Sequence, residues 1–379
     1  MDLLLGLAGM LASAATSSLL AGTWLAFRHA RRQPPYLDAP FGLFPVSILK
    51  PLKGHDPSLR ENLESFFLLD YPEYELLFSV ASPSDPAKPI VAELMDRYPR
   101  IRARLVVGEV KVGVNPKVNN LVTAYEHARH DWLLISDSNV RVERDYLKRL
   151  VGHLDNGVGM VTQVVAGQQA GGVGGLLEQA YLNTFYVRGM LLAAALGRPC
   201  VVGKAMLFRR SDADRFGGLK VLGRFLAEDF MAGEAMRRLG LRVVIASDPV
   251  TQVIGYHSVR QFWNRHLRWG RIRKKQALPA FVLEGLLSAM VAVPAGALAL
   301  AELLSLPTWA LALGLGGIWY TCDAAVSAVV ARRWLAPWAW LGREMLSIPL
   351  WIGTLLGNRV EWRGRKLTLG PSGLLEPHS

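Results

Sequence analysis

Cysteine is scarce in this chain. There are two in 379 residues, Cys200 and Cys322, far apart, with the second inside an apolar run. That excludes a disulfide framework and a thiolate metal cluster, and it fits a reducing, cytosolic setting. Zinc-finger spacings, a basic helical register and RNP-like aromatic motifs are also missing. The net charge of +12 therefore does not point to nucleic acid, and a membrane surface is the simpler partner for it. No internal repeat occurs. The longest low-complexity tract, "GQQAGGVGG" (167–175), reads as a flexible loop. Long apolar runs are absent from the middle of the chain and crowd its two ends.

Residues 3–27 carry no charge, enough to span a bilayer core with some tilt. "RHARR" (28–32) follows, so the positive-inside rule places the middle of the chain in the cytoplasm. A cleaved signal peptide is the alternative, since "ASA" (12–14) resembles a cleavage site. Such a peptide needs bases before its apolar run, and here only Asp2 precedes it. An uncleaved anchor over 1–30 is expected. After "RIRKKQALP" come apolar runs at 281–306 and 308–330, closed by the basic "ARRW", which read as an out-and-back hairpin. A third run, 335–357, contains Arg343 and Glu344 and has basic residues on both sides. It is expected to lie at the interface or re-enter, keeping a basic tail (359–379) cytosolic. Together, 279–358 reads as two spans plus this interfacial segment, and the chain as a multi-pass membrane protein, of the inner membrane if bacterial.

The middle, 40–275, alternates strands such as "PVSILKPL", "YELLFSVAS", "ARLVVG", "DWLLISDS" and "GMVTQVV" with helices whose apolar residues recur at three- and four-residue steps. That repetition predicts an α/β domain with a mostly parallel sheet covered on both faces. Ligands of such sheets sit beyond the carboxyl ends of the strands. Asp85, in "ASPSDPA", and Asp137, in "SDSN", both fall there. Each could equally be a turn or helix cap. Asp137-Ser138-Asn139 is one carboxylate short of the Asp-x-Asp that holds a metal against a diphosphate. Glu228 and Asp229 open a helix in "LAEDF", where the helix dipole favours acids and where a carboxylate could also serve as general base. In "NRHLRW" (264–269), Arg265, Arg268 and Trp269 share a helix face that suits either a diphosphate clamp or a grip on lipid headgroups. Lys117, Asn119 and Asn120 lie at a loop-to-helix junction and are weaker candidates for a nucleotide contact. His257 reads more readily as a packed or capping residue than as a ligand.

In this order the segments resemble the ceramide glucosyltransferases, glycosyltransferase family 21. The resemblance rests on "LKPLKGHDPSLRENLESFFLLDYPEYE" (49–75), "KVGVNPKVNNL" (111–121), "SDSNVRV", "LAEDF", "RHLRW" and the closing "EWRGRKLTLG" (361–370). It implies a GT-A fold and an inverting transfer of a hexose, glucose first, from a UDP-sugar to the hydroxyl of a ceramide-like membrane lipid. The family pattern is three acids followed by (Q/R)xxRW. Asp85 then matches the acid at the uridine, Asp137 the acid at a divalent metal (Mg²⁺ or Mn²⁺) and diphosphate, and Asp229 the catalytic base. Arg265, Arg268 and Trp269 match the last motif. One departure stands out: many members carry a His-Pro pair after "LEQ-x-Y", and here Tyr186 and Val187 occupy those places. A hopanoid or glycerolipid acceptor, or UDP-GlcNAc or UDP-Gal as donor, is the alternative.

Overall fold

A computed structural model describes residues 3–32, 42–362, 365–370 and 374–377. Parts of the expected basic tail lie outside them. The chain divides into two compact units, Arg31–Gln169 with Ala193–Gly255, and Met1–Ala30 with Ala170–Leu192 and Tyr256–Ser379. The stretch expected as one domain, 40–275, is therefore shared between them.

The first unit is built on an eight-stranded sheet: β1 (Val46–Leu52), β2 (Tyr74–Val80), β3 (Arg102–Val107), β4 (Trp132–Ile135), β5 (Val140–Arg141), β6 (Val158–Gly171), β7 (Met206–Arg209) and β8 (Arg242–Tyr256), in the order β3-β2-β1-β4-β7-β6-β8-β5. Strands β1, β2 and β4 are buried along their whole length, as strands covered on both faces must be. The expected parallel arrangement holds from β3 to β4. Beyond β4 the sheet continues antiparallel through β7 and β6, so it is mixed rather than mostly parallel.

That reversal shapes the ligand edge. In a parallel neighbour, the residues beside Ile135 would end a strand; in β7 they begin one, because Ile135 pairs with Met206. The turn before β7 therefore lies next to the segment that follows β4. Beneath this edge, Leu121, Val122, Leu133, Ile135, Met206, Phe208, Leu222 and Met236 form one buried cluster. Burial of this kind contributes about 1.5–3 kcal/mol per large side chain.

In the second unit, the helix Leu3–Ala30 buries its small residues Ala12, Ala15, Gly22 and Ala26. A Cβ on Gly22 would lie 3.1 Å from Arg188, so the glycine permits close helix packing. Among the described residues two helices are long and apolar enough to cross a membrane, Leu3–Ala30 and Thr308–Ala331. The run expected as the first arm of the hairpin forms a bent pair, Leu278–Leu286 and Ala289–Leu304, meeting at 51°. The third run forms a continuous helix, Pro337–Leu355. Its Arg343 and Glu344 are buried and paired at 2.7 Å, and Arg343 also reaches Asp323 at 3.0 Å. Asp323 further accepts from Trp340 Nε1 at 2.8 Å and pairs with Arg188.

"GQQAGGVGG" is not a flexible loop. It ends β6 and begins the helix Gly172–Tyr181. The reason is steric: a Cβ on Gly174 would meet the Ser258 carbonyl at 2.1 Å, and Gly172 has φ +67°.

Candidate active site

Five charged side chains from four segments meet at the carboxyl edge of β4. Asp137 follows the strand and Lys117 lies in the first turn of the helix Pro116–His127. Glu228 and Asp229 open the helix Glu228–Arg238, and Lys204 lies in the turn before β7. Lys117 Nζ sits 2.8 Å from Asp137 Oδ1 and 2.8 Å from Glu228 Oε1. Lys204 Nζ sits 2.8 Å from Asp137 Oδ2 and 2.7 Å from Asn139 Oδ1. Asp137 keeps 23% of its side chain accessible, so a ligand can reach it.

Local structure fixes each member. Asn115 caps its helix by accepting from the backbone N–H groups of Lys117 and Val118. Its amide donates to the Phe225 carbonyl at 2.8 Å and to Glu228 at 3.1 Å, which ties the two helix starts together. Gly113 and Gly223 pack so closely that a Cβ on Gly113 would lie 2.2 Å from the Gly223 oxygen. Gly203 donates its N–H to Asp229 Oδ2 at 2.9 Å, and a Cβ there would strike Lys117 Nζ at 2.6 Å. Asp229 Oδ1 accepts from the Phe230 N–H at 2.8 Å.

The electrostatics separate the two aspartates. Burial alone would raise the Asp137 pKa, but the ammonium groups of Lys117 and Lys204 hold it well below the usual carboxylate range. Lys117 is likewise held fully protonated: burial opposes its charge, and Asp137, Glu228 and Asp229 overcome that. Asp229 goes the other way. Burial, then repulsion from Glu228, pushes it up to about 6. A carboxylate in that range is suited to accept a proton near neutral pH. Below this edge Lys50 is fully buried in β1, and burial pulls its pKa well below that of a free lysine. It donates to the Asp137 carbonyl at 3.0 Å and lies 3.5 Å from the Phe66 ring centroid, bracing the strand end.

The other expected site residues fare differently. Asp85 accepts from the N–H of Gly54 at 3.1 Å and of Ala87 at 2.9 Å, which ties the two loops together. Asn119 and Asn120, expected as nucleotide contacts, are buried and bonded to backbone instead. Asn119 pins Val112 and Gly113, and Asn120 donates to the carbonyls of Leu52 and Ser79. The metal expectation at Asp137 is not met by the donors present. Both Asp137 oxygens and the Asn139 oxygen are engaged by ammonium groups, and no group of three His, Cys, Asp or Glu suited to a metal occurs among the described residues.

Arg265, Arg268 and Trp269 belong to the other unit, on the helix Val259–Gln276, which starts with a capping box between Ser258 and Gln261. There Glu178, wholly buried, accepts from Arg265 at 2.6 Å and from His257 Nδ1 at 3.0 Å. Burial works to raise Glu178, but the His257 hydrogen bond and the Arg265 charge hold it down to about 2. Trp269 stacks at 6.4 Å on Tyr186, which stands in a π-helical turn, Leu182–Tyr186. Sequence reasoning passed over Lys50, Asn115, Glu178 and Lys204. The available signals were a lysine inside the apolar "VSILKPL", a glutamate in "GLLEQAY" and a lysine in "VVGKAMLF".

The model of glycosyl transferase family 21 matches residues 9–375. Ceramide glucosyltransferase 1 of Caenorhabditis elegans is 30% identical over 86% of this chain and 72% of its own length. Ceramide glucosyltransferase 3 of the same organism is 29% identical over 88% and 74%. A mannosyltransferase from Pyrobaculum calidifontis, solved with GDP-Man and Mn²⁺, covers 86% of this chain and 97% of its own at 23% identity and a TM-score of 0.52. That likeness shows the GT-A fold. A mixed sheet with charged groups gathered at its carboxyl edge, and a family match over nearly the whole length, lead to one assignment: the chain belongs to glycosyl transferase family 21 and is a sugar-nucleotide-dependent glycosyltransferase.

Proposed function

We propose that the enzyme transfers glucose from UDP-glucose to the primary hydroxyl of ceramide, with inversion at the anomeric carbon, at the cytoplasmic face of a membrane. The observation that carries this reading is Asp229, a carboxylate pushed up to about 6 and held beside the Lys117–Asp137 pair. The names of the relatives support the acceptor. In this mechanism Lys117 binds the diphosphate and Asp137 keeps that lysine charged and oriented. Asp85 serves the uridine end, a role resting on the family motif. Asp229 takes the proton as the ceramide oxygen attacks, and UDP leaves from the opposite side of the sugar. Arg265, Arg268 and Trp269 are assigned by their motif to charge stabilisation of the departing UDP, with Glu178 orienting Arg265.

Another lipid acceptor or UDP-sugar is a second reading. It is favoured by Tyr186, stacked on Trp269 where many family members carry histidine. Mass spectrometry of lipids from a host expressing the protein, compared with Asp229→Asn, separates the two. Glucosylceramide present with the wild type and absent with the variant supports the first. A new glycolipid with a different base or sugar supports the second.

A further inference from the structure

Lys204 is part of none of the roles assigned above, yet it closes the candidate site. It lies in the tight turn that enters β7, where Val202 and Ala205 bridge and the Ala205 N–H donates to the Val202 carbonyl at 3.1 Å. Two successive residues of this turn serve the two aspartates: the Gly203 N–H bonds Asp229, and the Lys204 ammonium bonds Asp137. The antiparallel pairing of β7 with β4 puts them there.

Resting on the reading of Asp137 and Lys117 as the diphosphate site, we infer that Lys204 is a diphosphate-binding residue whose fixed ammonium takes the place of a divalent ion in this chain. Asp137 and Asn139 are the residues of the "DSN" triplet that would ligate a metal, and both direct an oxygen at Lys204 Nζ, at 2.8 and 2.7 Å. The remaining Asp137 oxygen is held by Lys117. A divalent ion at this carboxylate would have to share oxygens that already accept from two ammonium groups, and it would arrive beside two positive charges already in place. An ammonium has three N–H donors. Among the described residues two of those on Lys204 point at Asp137 and Asn139, which leaves one for a phosphate oxygen. The side chain keeps 16% of its surface accessible, so a ligand can reach it. Two lysines, both held by Asp137 and one of them also by Glu228, thus place two ammonium groups where a divalent ion would place its two charges. No proton or electron is transferred to or from Lys204; it offsets charge that builds on UDP as the bond to the sugar breaks.

The test is UDP binding to the full-length protein in detergent, by calorimetry, in EDTA and in millimolar Mg²⁺ or Mn²⁺. The wild type is expected to bind UDP within about threefold in the two conditions. Lys204→Met should weaken binding in EDTA by about tenfold or more, and the metals should restore part of the loss, because Asp137 and Asn139 are then open to an ion. Uridine, lacking phosphates, should bind Lys204→Met and wild type alike, which also reports that the variant is folded. Wild-type binding that needs a metal, or Lys204→Met binding UDP like the wild type in EDTA, overturns the inference alone. Failure of the wild type to bind UDP under any condition overturns the inference and the diphosphate reading with it.

Discussion

At Asp229 two effects compete: burial and Glu228 favour the protonated acid, while Lys117 and two backbone N–H groups favour the carboxylate. The acid side gains, and the pKa rises to about 6. A general base works only when deprotonated, so kcat/KM should fall on the acid side with an apparent pKa near 6. A pH–rate profile checks this; a flat profile down to pH of about 4, the ordinary carboxylate range, would remove Asp229 from the role. Asp229→Asn should lower kcat by about a thousandfold while UDP affinity changes by less than about threefold. Stability gives an independent readout. A folded-state pKa raised above the unfolded value means that stability is lost as pH rises through that range. The charged form then costs at most about 3 kcal/mol above pH 6. Asp229→Asn should therefore unfold at the same temperature as the wild type or higher at pH 8, where a merely damaged fold would unfold earlier.

At the scale of elements, the helix Gly172–Tyr181 is positioned by two unlike devices. Its glycines allow the Ser258 carbonyl to approach, and its buried Glu178 holds Arg265 and His257 on or beside the helix Val259–Gln276. Gly174→Ala should lower the melting temperature in detergent by several degrees, since a Cβ 2.1 Å from a backbone oxygen forces the helix away. Glu178→Ala strips the carboxylate from a guanidinium, a change that typically costs about 3–5 kcal/mol when the pair is buried. Arg265 is partly exposed, so the loss should sit at the low end or below it. If Glu178 orients Arg265 for chemistry, Glu178→Gln should keep most of the stability and still lose kcat, with KM little changed. Equal losses in stability and kcat would make its role packing only.

Across the whole molecule, the charged residues within the C-terminal apolar region are the test of how it is held. Asp323 pairs with Arg188 and Arg343 from two other helices, and removing it takes the carboxylate from the buried Arg188 and leaves Arg343 with Glu344 alone. Asp323→Asn should destabilise the detergent-solubilised protein markedly, while Glu302→Gln, at an exposed position, should not; thermal unfolding monitored by light scattering distinguishes them. The basic edges at 28–32 and 331–333 predict a cytoplasmic catalytic unit and tail. A tag at Ser379 should react only after the membrane is permeabilised. Composition and period determined a great deal by themselves: the apolar ends, the strand-helix alternation through β4, and Asp85, Asp137 and Asp229 as the acids to inspect. These are local properties, written in runs of a few residues, and they survive whatever the rest of the chain does. Tertiary structure alone decided that the sheet reverses at β7, that a glycine run packs rather than flexes, and that Asn119 and Asn120 brace loops. It also decided that the carboxylate of "DSN" meets Lys204, 67 residues further along the chain. No local pattern announces such a pair, because an ammonium and a carboxylate so far apart in sequence become neighbours only when strand pairing closes the loop between them.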